Sequence, residues 1–363
     1  MNRVCLLLVV TACGGGSNGD DTQTDARRFE GGGANLGGCA MFPANHIFNT
    51  PIDGLPVDPN SAAYITTIGA TRKIHLDLGT TTDQSNPEFY GIPYNLVAAN
   101  GLSWPTVQYT SPNPDYSWDP TAESDCADAS KAIVSPCTIG SPHLPFPATP
   151  IVEGGLSTAA DHQPDGDHHL LVLDTDNCRL WEGYHVYRPG GTWQIFGSAT
   201  FDLKKTEMRP SEWTSADAAG FPILPLLLRG DEATAGQILH PLRFTIQTSK
   251  IRDEFIWPAT HQTNGPSGTS YPPMGQLFRL KSSFTIPSTA NTQTRAILTA
   301  LKTYGMYLAD GGSDMYISGT PDAGWEDATF SGVQAVAASE FEAVDITAIT
   351  KRAGWSADSA AVP

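Results

Sequence analysis

Two neighbouring segments near the middle of the chain place carboxylates close to a histidine. Asp167 and His169 precede one apolar run, and Glu182 and Tyr184 lie within the next. Carboxylates that share a site with an imidazole can transfer protons or bind a cation. These four residues are therefore the first candidate acid–base centre.

The elements that would position this centre are the two strands of a β-hairpin. Apolar runs over 168–174 and 178–187 flank a polar turn, a pattern typical of a hairpin. If Leu173 pairs with Cys178, the four candidate residues come together on one face. The alternative interpretation is a hydrogen-bonded polar rim without chemistry.

Two later predicted strands each carry a histidine. His240 faces away from Arg243 on one strand, and His261 shares a face with Trp257 on the other. A lone histidine on an apolar face is usually a core residue, but two on neighbouring strands indicate a substrate groove. Aromatic rings near carboxylates suit sugars, and the candidate platforms are Trp104, Trp118, Trp213, Trp257 and Tyr271.

Two reactions on a glycan remain open at this level. Hydrolysis would use two carboxylates, with Asp167 and Glu182 as the first pair. Asp231 and Glu232 are a weaker pair, because adjacent residues of a strand point apart.

Elimination from a uronic acid would instead need a base and a cation that neutralises the substrate carboxylate. His240, His261 or Tyr184 would supply the base. Arg243 would supply the cation, although it faces away from His240 on a regular strand. His240 and Arg243 would then not act on the same side of the sheet.

A metal-dependent enzyme is a third hypothesis, built on His169, Glu182 and either of the two later histidines. Residues 310–314 and 165–167 resemble cation-binding turns but lack the spacing of a calcium loop. Plain turns are the favoured interpretation for both. The sequence requires no cofactor, and a structural calcium ion stays open.

Several classes of protein are disfavoured. The chain has no G-x-S-x-G elbow, P-loop, H-E-x-x-H or G-x-G-x-x-G after a strand. Its formal net charge of −17 argues against nucleic acid and anionic lipid headgroups as partners. A non-enzymatic module that binds a glycan or another envelope component is the alternative to an enzyme.

The N-terminus predicts export. Residues 1–12 have one positive charge and a short apolar core, which is a signal peptide rather than a membrane span. Val10-Thr11-Ala12-Cys13 resembles a bacterial lipobox, so we expect Cys13 to be the lipidation site. Residues 13–38 are rich in Gly, Ser and Asp and predict a flexible linker. A single domain over 39–363 would then be held at the cell envelope or cell surface.

Four further cysteines indicate disulfides, since an exported chain with an even number usually pairs them. Cys126 and Cys137 bracket a short loop and are the first predicted pair. Cys39 and Cys178 are then left to each other. No pair has the C-x-x-C spacing of a structural zinc site.

The fold class is predicted to be mainly β. Strand patterns far outnumber helical ones, and Pro and Gly are abundant at 28 and 35 residues. We expect an antiparallel β-sandwich or jelly-roll-like domain with a few accessory helices. The strongest helical pattern covers 292–308.

Between Cys39 and about Ile346 the chain resembles a family of secreted bacterial proteins to which no activity is attached. The resemblance is long but adds no chemistry. Its matching stretches are 42–45 (FPAN), 166–174 (GDHHLLVLD), 209–220 (RPSEWTSADAAG), 240–245 (HPLRFT), 257–261 (WPATH) and 304–313 (YGMYLADGGS).

These observations together predict an exported, monomeric, glycan-active enzyme, either a glycoside hydrolase or a polysaccharide lyase. Its partner would be a polysaccharide or oligosaccharide, and its lipid anchor would hold it at the outer membrane or cell surface. The expected catalytic residues are Asp167, His169, Glu182, His240 and His261, and the expected substrate-binding residues are Tyr184, Arg243, Trp213 and Trp257.

Overall fold

Short strands dominate the chain. The computed structural model describes residues 34–111, 119–163 and 166–363, and these residues belong to one compact unit. The predicted signal peptide, Cys13, most of the predicted linker, Trp118 and Asp165 lie outside the described residues. Strand accounts for 24% and helix for 16% of the structure, so the prediction of a mainly β protein is confirmed.

The strands follow one another with few helices between them. They are β1 (Asn35–Leu36), β2 (Cys39–Ala40), β3 (His75–Asp77), β4 (Tyr94–Val97), β5 (Val107–Tyr109), β6 (Cys126–Ala127), β7 (Ile133–Val134), β8 (Leu170–Asp174), β9 (Arg179–Tyr184), β10 (Trp193–Ile195), β11 (Gly197–Asp202), β12 (Leu242–Ile246), β13 (Arg252–Phe255), β14 (Pro273–Met274), β15 (Leu277–Leu280), β16 (Met306–Gly311), β17 (Tyr316–Ser318) and β18 (Phe341–Ala343).

The helices are short apart from one. The α-helices are α1 (Ser61–Ile68), α2 (Gly230–Ala235), α3 (Thr292–Thr303), α4 (Asp327–Val333) and α5 (Thr347–Thr350). Turns of 3-10 helix cover Ile47–Asn49, Pro189–Gly191, Leu224–Leu226, Thr248–Lys250 and Ala338–Glu340. In the described part of the chain, no helix has the length and apolar character needed to cross a membrane.

Two sheets organise the fold. One has six strands in the order β18-β15-β16-β12-β17-β3, and the other has four in the order β11-β9-β8-β4. Both are mixed rather than purely antiparallel, because β4 pairs with β8, β12 with β16 and β3 with β17 in parallel. Parallel pairs need long crossover connections, and the long loop-rich segments between these strands provide them.

The central hairpin is present, but its predicted register is wrong by two residues. Leu173 pairs with Leu180 rather than with Cys178, and Leu171 pairs with Glu182. The turn is displaced because the Asp174 carboxylate accepts hydrogen bonds from two turn amides and Cys178 has a left-handed φ of 48°. A shift of two residues keeps every side chain on its predicted face.

The ends of the hairpin also differ from the prediction. His168 has a φ of 44°, so β8 begins only at Leu170 and both histidines lie just before it. The chain after the hairpin forms two strands: β10 pairs with β5, and β11 pairs with β9 as the next strand of the four-stranded sheet.

The longest helix, α3, confirms the helical pattern but ends five residues early. Asn291 caps it by accepting a hydrogen bond from the amide of Thr294. Gly305 stops the helix with a φ of 76°, and a Cβ there would lie 2.3 Å from the Phe278 carbonyl oxygen. Only glycine fits this position, and β16 starts at the next residue.

One buried cluster joins the two sheets. It contains Leu171, Leu173 and Leu180 of the four-stranded sheet together with Leu242 and Phe244 of the six-stranded sheet. A second, smaller cluster lies around Trp181 and Trp193. Each sheet therefore has an apolar side that is buried in a core. Removing apolar side chains from water is the main favourable term in folding.

Both predicted disulfides are present. Cys126 pairs with Cys137 across a separation of 11 residues, and Cys39 pairs with Cys178 across 139 residues. The second bond ties the start of β2 to the tip of the central hairpin.

The long-range disulfide should stabilise the fold more than the local one. Closing a longer loop removes more entropy from the unfolded chain, about 5 kcal/mol for Cys39–Cys178 against about 3 kcal/mol for Cys126–Cys137. We expect the double substitution C39S/C178S to lower the free energy of unfolding in urea more than C126S/C137S does. The reverse order would show that local strain, not loop entropy, decides the effect.

Candidate functional site

Three consecutive residues, Ala216, Asp217 and Ala218, connect charged groups from both sheets. The carbonyl of Ala216 accepts a hydrogen bond from His169 Nε2 at 3.0 Å. The Asp217 carboxylate binds Arg243. The Ala218 amide donates to Asp310 Oδ2 at 3.3 Å, and its carbonyl accepts from Nδ1 of a further histidine, His261. We call this segment, residues 216–218, the connecting segment.

A row of polar side chains crosses one face of the six-stranded sheet. Thr245 of β12 pairs with Asp310 of β16 and with Tyr316 of β17. Tyr316 in turn pairs with His75 of β3, and their rings stack at 4.1 Å. Cross-strand partners share a face of the sheet. This face is therefore polar along the row, whereas the opposite face packs in the core.

Arg243 lies on the same face of β12, two residues before Thr245, and is fully engaged by protein groups. Its Nε and Nη2 donate to the two oxygens of Asp217 at 3.1 and 3.0 Å, and its Nη1 donates to Ser318 Oγ at 2.5 Å. Its Nη2 also lies 3.7 Å from Asp310 Oδ2. The side chain of Asp217 is fully buried and that of Arg243 is 4% exposed. This bidentate pair is a buried charge–charge contact of the strong type.

Asp310 lies beside this ion pair, and its carboxyl group is partly exposed. Its oxygens accept hydrogen bonds from the amides of Gly311 and Ala218, and 30% of its side chain is exposed. Burial and the negative charge of Asp217 raise the pKa of Asp310 to about 7, against the opposing effect of Arg243. Asp310 can therefore carry or release a proton near neutral pH.

Glu153 lies on the other side of the connecting segment and binds His169. Glu153 Oε2 is 2.6 Å from His169 Nδ1 and also accepts the His169 amide at 3.2 Å. No hydrogen bond from the described residues reaches Glu153 Oε1, and 24% of the side chain is exposed. Glu153 thus has one anchored oxygen and one available oxygen.

The charge states of this pair follow from its contacts. Burial would lower the pKa of His169, but the charge and hydrogen bond of Glu153 raise it to about 9. Burial would raise the pKa of Glu153, but His169 and then Arg243 hold it below its usual range. Since His169 Nε2 donates to a carbonyl, a charged imidazolium can donate from both nitrogens. The pair is an imidazolium and a carboxylate.

Asp167 and Tyr184 complete this side of the site. Asp167 is exposed, and the Tyr184 hydroxyl donates to its Oδ1 at 3.5 Å. Ligand atoms of Glu153, Asp167 and His169 lie within 4.8 Å of one another, the spacing of a metal site. Both nitrogens of His169 are already engaged, however, which fits the imidazolium better than a metal ligand.

Glu182 faces the same side of the hairpin but is buried too deeply to meet a substrate. Glu182 is 1% exposed, and its Oε1 accepts hydrogen bonds from the amides of Ile223 and Leu224. Its Oε2 has no partner among the described residues. Burial, opposed by the two amides, raises the pKa of Glu182 to about 8. Glu182 is therefore a neutral anchor for the chain after the connecting segment.

Several predicted site residues lie elsewhere. His240 is 1% exposed and binds Glu232 of α2, which also binds Arg229. Trp257 packs in the core and donates to the Ser359 carbonyl, while Trp213 lies 5.4 Å from the Arg209 guanidinium. Asp231 points its carboxylate to Arg229.

Residues 310–314, for which the sequence favours a plain turn, are divided between two roles. Asp310 belongs to β16 and to the site described above. The Asp314 carboxylate is held by Lys250 at 2.6 Å and by Gln247 at 3.0 Å. A protein ammonium thus occupies the place that a bound cation would take.

The structure adds Asp77, Glu153, Asp217 and Asp310 to the site. Glu153 lies in a loop without periodicity, so the sequence carries no local signal for it. Asp217 follows the predicted strands of the hairpin and Asp310 stands in a predicted turn, and only the tertiary fold brings both to Arg243. We call these four residues with Asp167, His169 and Arg243 the charged cluster.

The best-defined cavities lie away from the charged cluster. A cavity of about 300 Å³ is lined by residues of β11 and the chain after it, including Lys205 and Arg209, and by Arg179 of β9. A second one, of about 20 Å³, is lined by His46 and Phe48 among others. Neither lining includes a member of the charged cluster.

Comparison with known proteins finds no match: no protein-family model, curated protein or solved structure is similar to this chain. The case for a function therefore depends on the chemistry of the charged cluster.

Replacing Glu182 with glutamine should change how stability depends on pH. The unfolded chain ionises Glu182 near pH 4.5 and the folded chain only near pH 8, so the folded state binds the extra proton between them. The free energy of unfolding should therefore fall as pH rises through this window. In E182Q, which keeps an acceptor for both amides, the fall should be smaller and the protein should be more stable than wild type at pH 8.

The matched control is E182A, which leaves two buried amides without a partner. It should lose about 2 kcal/mol or more of stability at pH 5. Urea unfolding at pH 5 and pH 8 measures both effects. An E182Q variant with the wild-type pH dependence would contradict the neutral state of Glu182.

Proposed function

We propose that the protein is a glycoside hydrolase in which Asp310 is the general acid and Glu153 is the second carboxylate. One observation carries the proposal. The two partly exposed carboxyl groups flank one connecting segment, and their surroundings push their pKa values in opposite directions. A pair of titratable groups tuned apart in this way is the usual sign of an acid and its partner base.

Each carboxyl group has the contacts that its role requires. Asp310 is protonated near neutrality because of burial and Asp217, so it can give its proton to the oxygen that leaves the anomeric carbon. Glu153 stays ionised because His169 binds its Oε2. Its available Oε1 can then act as the base on the side of the anomeric carbon. Water then adds its oxygen to the anomeric carbon as the glycosidic bond breaks, Glu153 takes the proton that this water loses, and exchange with solvent returns a proton to Asp310.

The other reactions have less support. Elimination from a uronic acid needs a cation for the substrate carboxylate, but Arg243 is buried and bound to Asp217 and Ser318. His240, one of the proposed bases, binds Glu232 instead. Metal-dependent catalysis would need a free nitrogen on His169, and both are engaged.

A glycan is the substrate class that best fits the surroundings. Tyr184 and the stacked pair of His75 and Tyr316 place rings beside carboxylates, a combination that can stack on a sugar and bind its hydroxyls. We further propose that the two large sheets are the layers of a sandwich, because they share one core cluster. The disulfides are compatible with export, and we propose that Cys13 carries the lipid anchor.

Removing either proposed catalytic carboxyl group should abolish hydrolysis. We expect D310N and E153Q each to lower the rate about 10²- to 10⁴-fold, the range for general acid–base catalysis. The measurement is the release of reducing ends from a panel of plant and bacterial polysaccharides. D253N, which removes an exposed carboxylate on β13, should keep the wild-type rate.

Four results would contradict this proposal. Equal rates in D310N and wild type would exclude Asp310 as the acid. Unsaturated products that absorb in the ultraviolet would indicate elimination, and loss of activity on chelation would indicate a metal. Binding of a polysaccharide without any product would favour a non-enzymatic binding module.

The lipid anchor can be tested separately from the reaction. In a bacterial host the C13S variant should move from the membrane fraction to the soluble fraction of the envelope, because a lipidated cysteine is the proposed attachment point. Labelling with a fatty-acid analogue should be lost in the same variant. C126S, which removes a disulfide cysteine of the domain, should remain labelled.

A further inference from the structure

Asp77 is a carboxylate of the charged cluster that the proposed reaction does not use. It ends β3 and pairs with Ser318 of β17, whose hydroxyl accepts from Arg243. Asp77 is half-buried, and within the described residues no hydrogen bond reaches its carboxylate. An ionised side chain in such a position is costly unless something meets it.

The positive charges of the cluster are turned to the protein rather than to the surface. The side chains of Arg243 and His169 are only 4% and 5% exposed. Their donors are taken by Asp217, Ser318, Glu153 and the Ala216 carbonyl. A negatively charged substrate would find no available cation among them.

The acidic side chains of the cluster are more accessible. Asp167 is exposed, Asp77 is half-buried, and the side chains of Glu153 and Asp310 are 24% and 30% exposed. Burial, together with the charges of Glu153 and Asp167, raises the pKa of Asp77 above its usual range, against the opposing effects of His75 and Arg243. The carboxylates thus repel one another, and a positive ligand would relieve this repulsion.

We infer that Asp77 determines specificity by binding the ammonium group of an amino sugar, so that the glycan carries free amines rather than carboxylates. This inference rests on the proposed hydrolase function and names its substrate class. Asp77 accepts from the ammonium, while Asp310 and Glu153 remain free for the glycosidic bond. Uronic acids are rejected because the accessible carboxylates repel them and the cations lie buried.

Binding can be measured without turnover, which separates this inference from the proposed reaction. The D310N variant is titrated by calorimetry with chitosan oligomers, fully N-acetylated chito-oligomers and oligogalacturonate. Chitosan oligomers should bind most tightly, and their affinity should fall with added salt because the contact is ionic. Oligogalacturonate should not bind.

The decisive comparison is between D77N and D253N in the D310N background. Asparagine at position 77 keeps the shape of the side chain but removes its charge, and affinity for chitosan oligomers should fall about tenfold, the order for one partly buried charge pair. D253N removes one exposed charge outside the site and should leave the affinity unchanged. Circular dichroism of each variant shows that the fold is kept.

Each other outcome has a distinct meaning. If chitosan binding depends on Asp77 but the wild-type protein releases no product, the proposed hydrolase activity is overturned and this inference stands. Cleavage of N-acetylated or uronic-acid glycans without chitosan binding would overturn the inference and leave the hydrolase. Tight binding of Ca²⁺ or Mn²⁺ that D77N abolishes, with no chitosan binding, would replace the amino sugar with a metal ion.

Discussion

The buried ion pair between Arg243 and Asp217 is the contact on which the arrangement of the charged cluster depends. Taking two charges out of water is expensive, and removing one partner of such a pair typically costs 3–5 kcal/mol. Asp217 is therefore held tightly against β12, and Ala216 and Ala218 are held with it. Those two neighbours contact His169 and Asp310. A single electrostatic constraint thus positions groups that come from both sheets.

The same pair also sets the proton affinities around it. Asp217 lies close enough to Asp310 to raise its pKa, while Arg243 lowers the pKa of both Asp310 and Glu153. His169 adds a second buried positive charge and acts mainly on Glu153. Because each cation is nearer to one carboxyl group than to the other, one surface comes to hold an acid and a base at the same pH.

Much of the framework could be predicted from local patterns. Apolar alternation and turn residues identified the central hairpin, and an even cysteine count with one short loop identified both disulfides. Predicted faces survived even where the register was wrong, because the error was two residues and side chains alternate with a period of two. The 3–4 spacing predicted the helix that begins at Thr292, but its end was predicted five residues too late because the apolar residues after Gly305 belong to β16.

The site was harder to predict because it depends on contacts between distant segments. Glu153 comes from a loop, and only its hydrogen bonds to His169 show that it belongs with the hairpin. Asp310 resembled a turn residue until its pairing with Thr245 placed it beside Arg243. Conversely, His240 and Trp257 had suitable residue types but pack inside. Residue type and face can be read locally, whereas the partner of a charge is decided by tertiary packing.

The Cys39–Cys178 bond has a mechanical consequence for the whole domain. The first strands of the domain, β1 and β2, are two-residue segments that a small force could peel away. Because Cys39 is bonded to the tip of the central hairpin, tension applied to the chain upstream passes covalently into the four-stranded sheet. There it meets the hydrogen bonds of β8 and β9 rather than those of the terminal pair. A domain loaded in this way can bear tension from flow or from a surface while its charged cluster keeps its geometry.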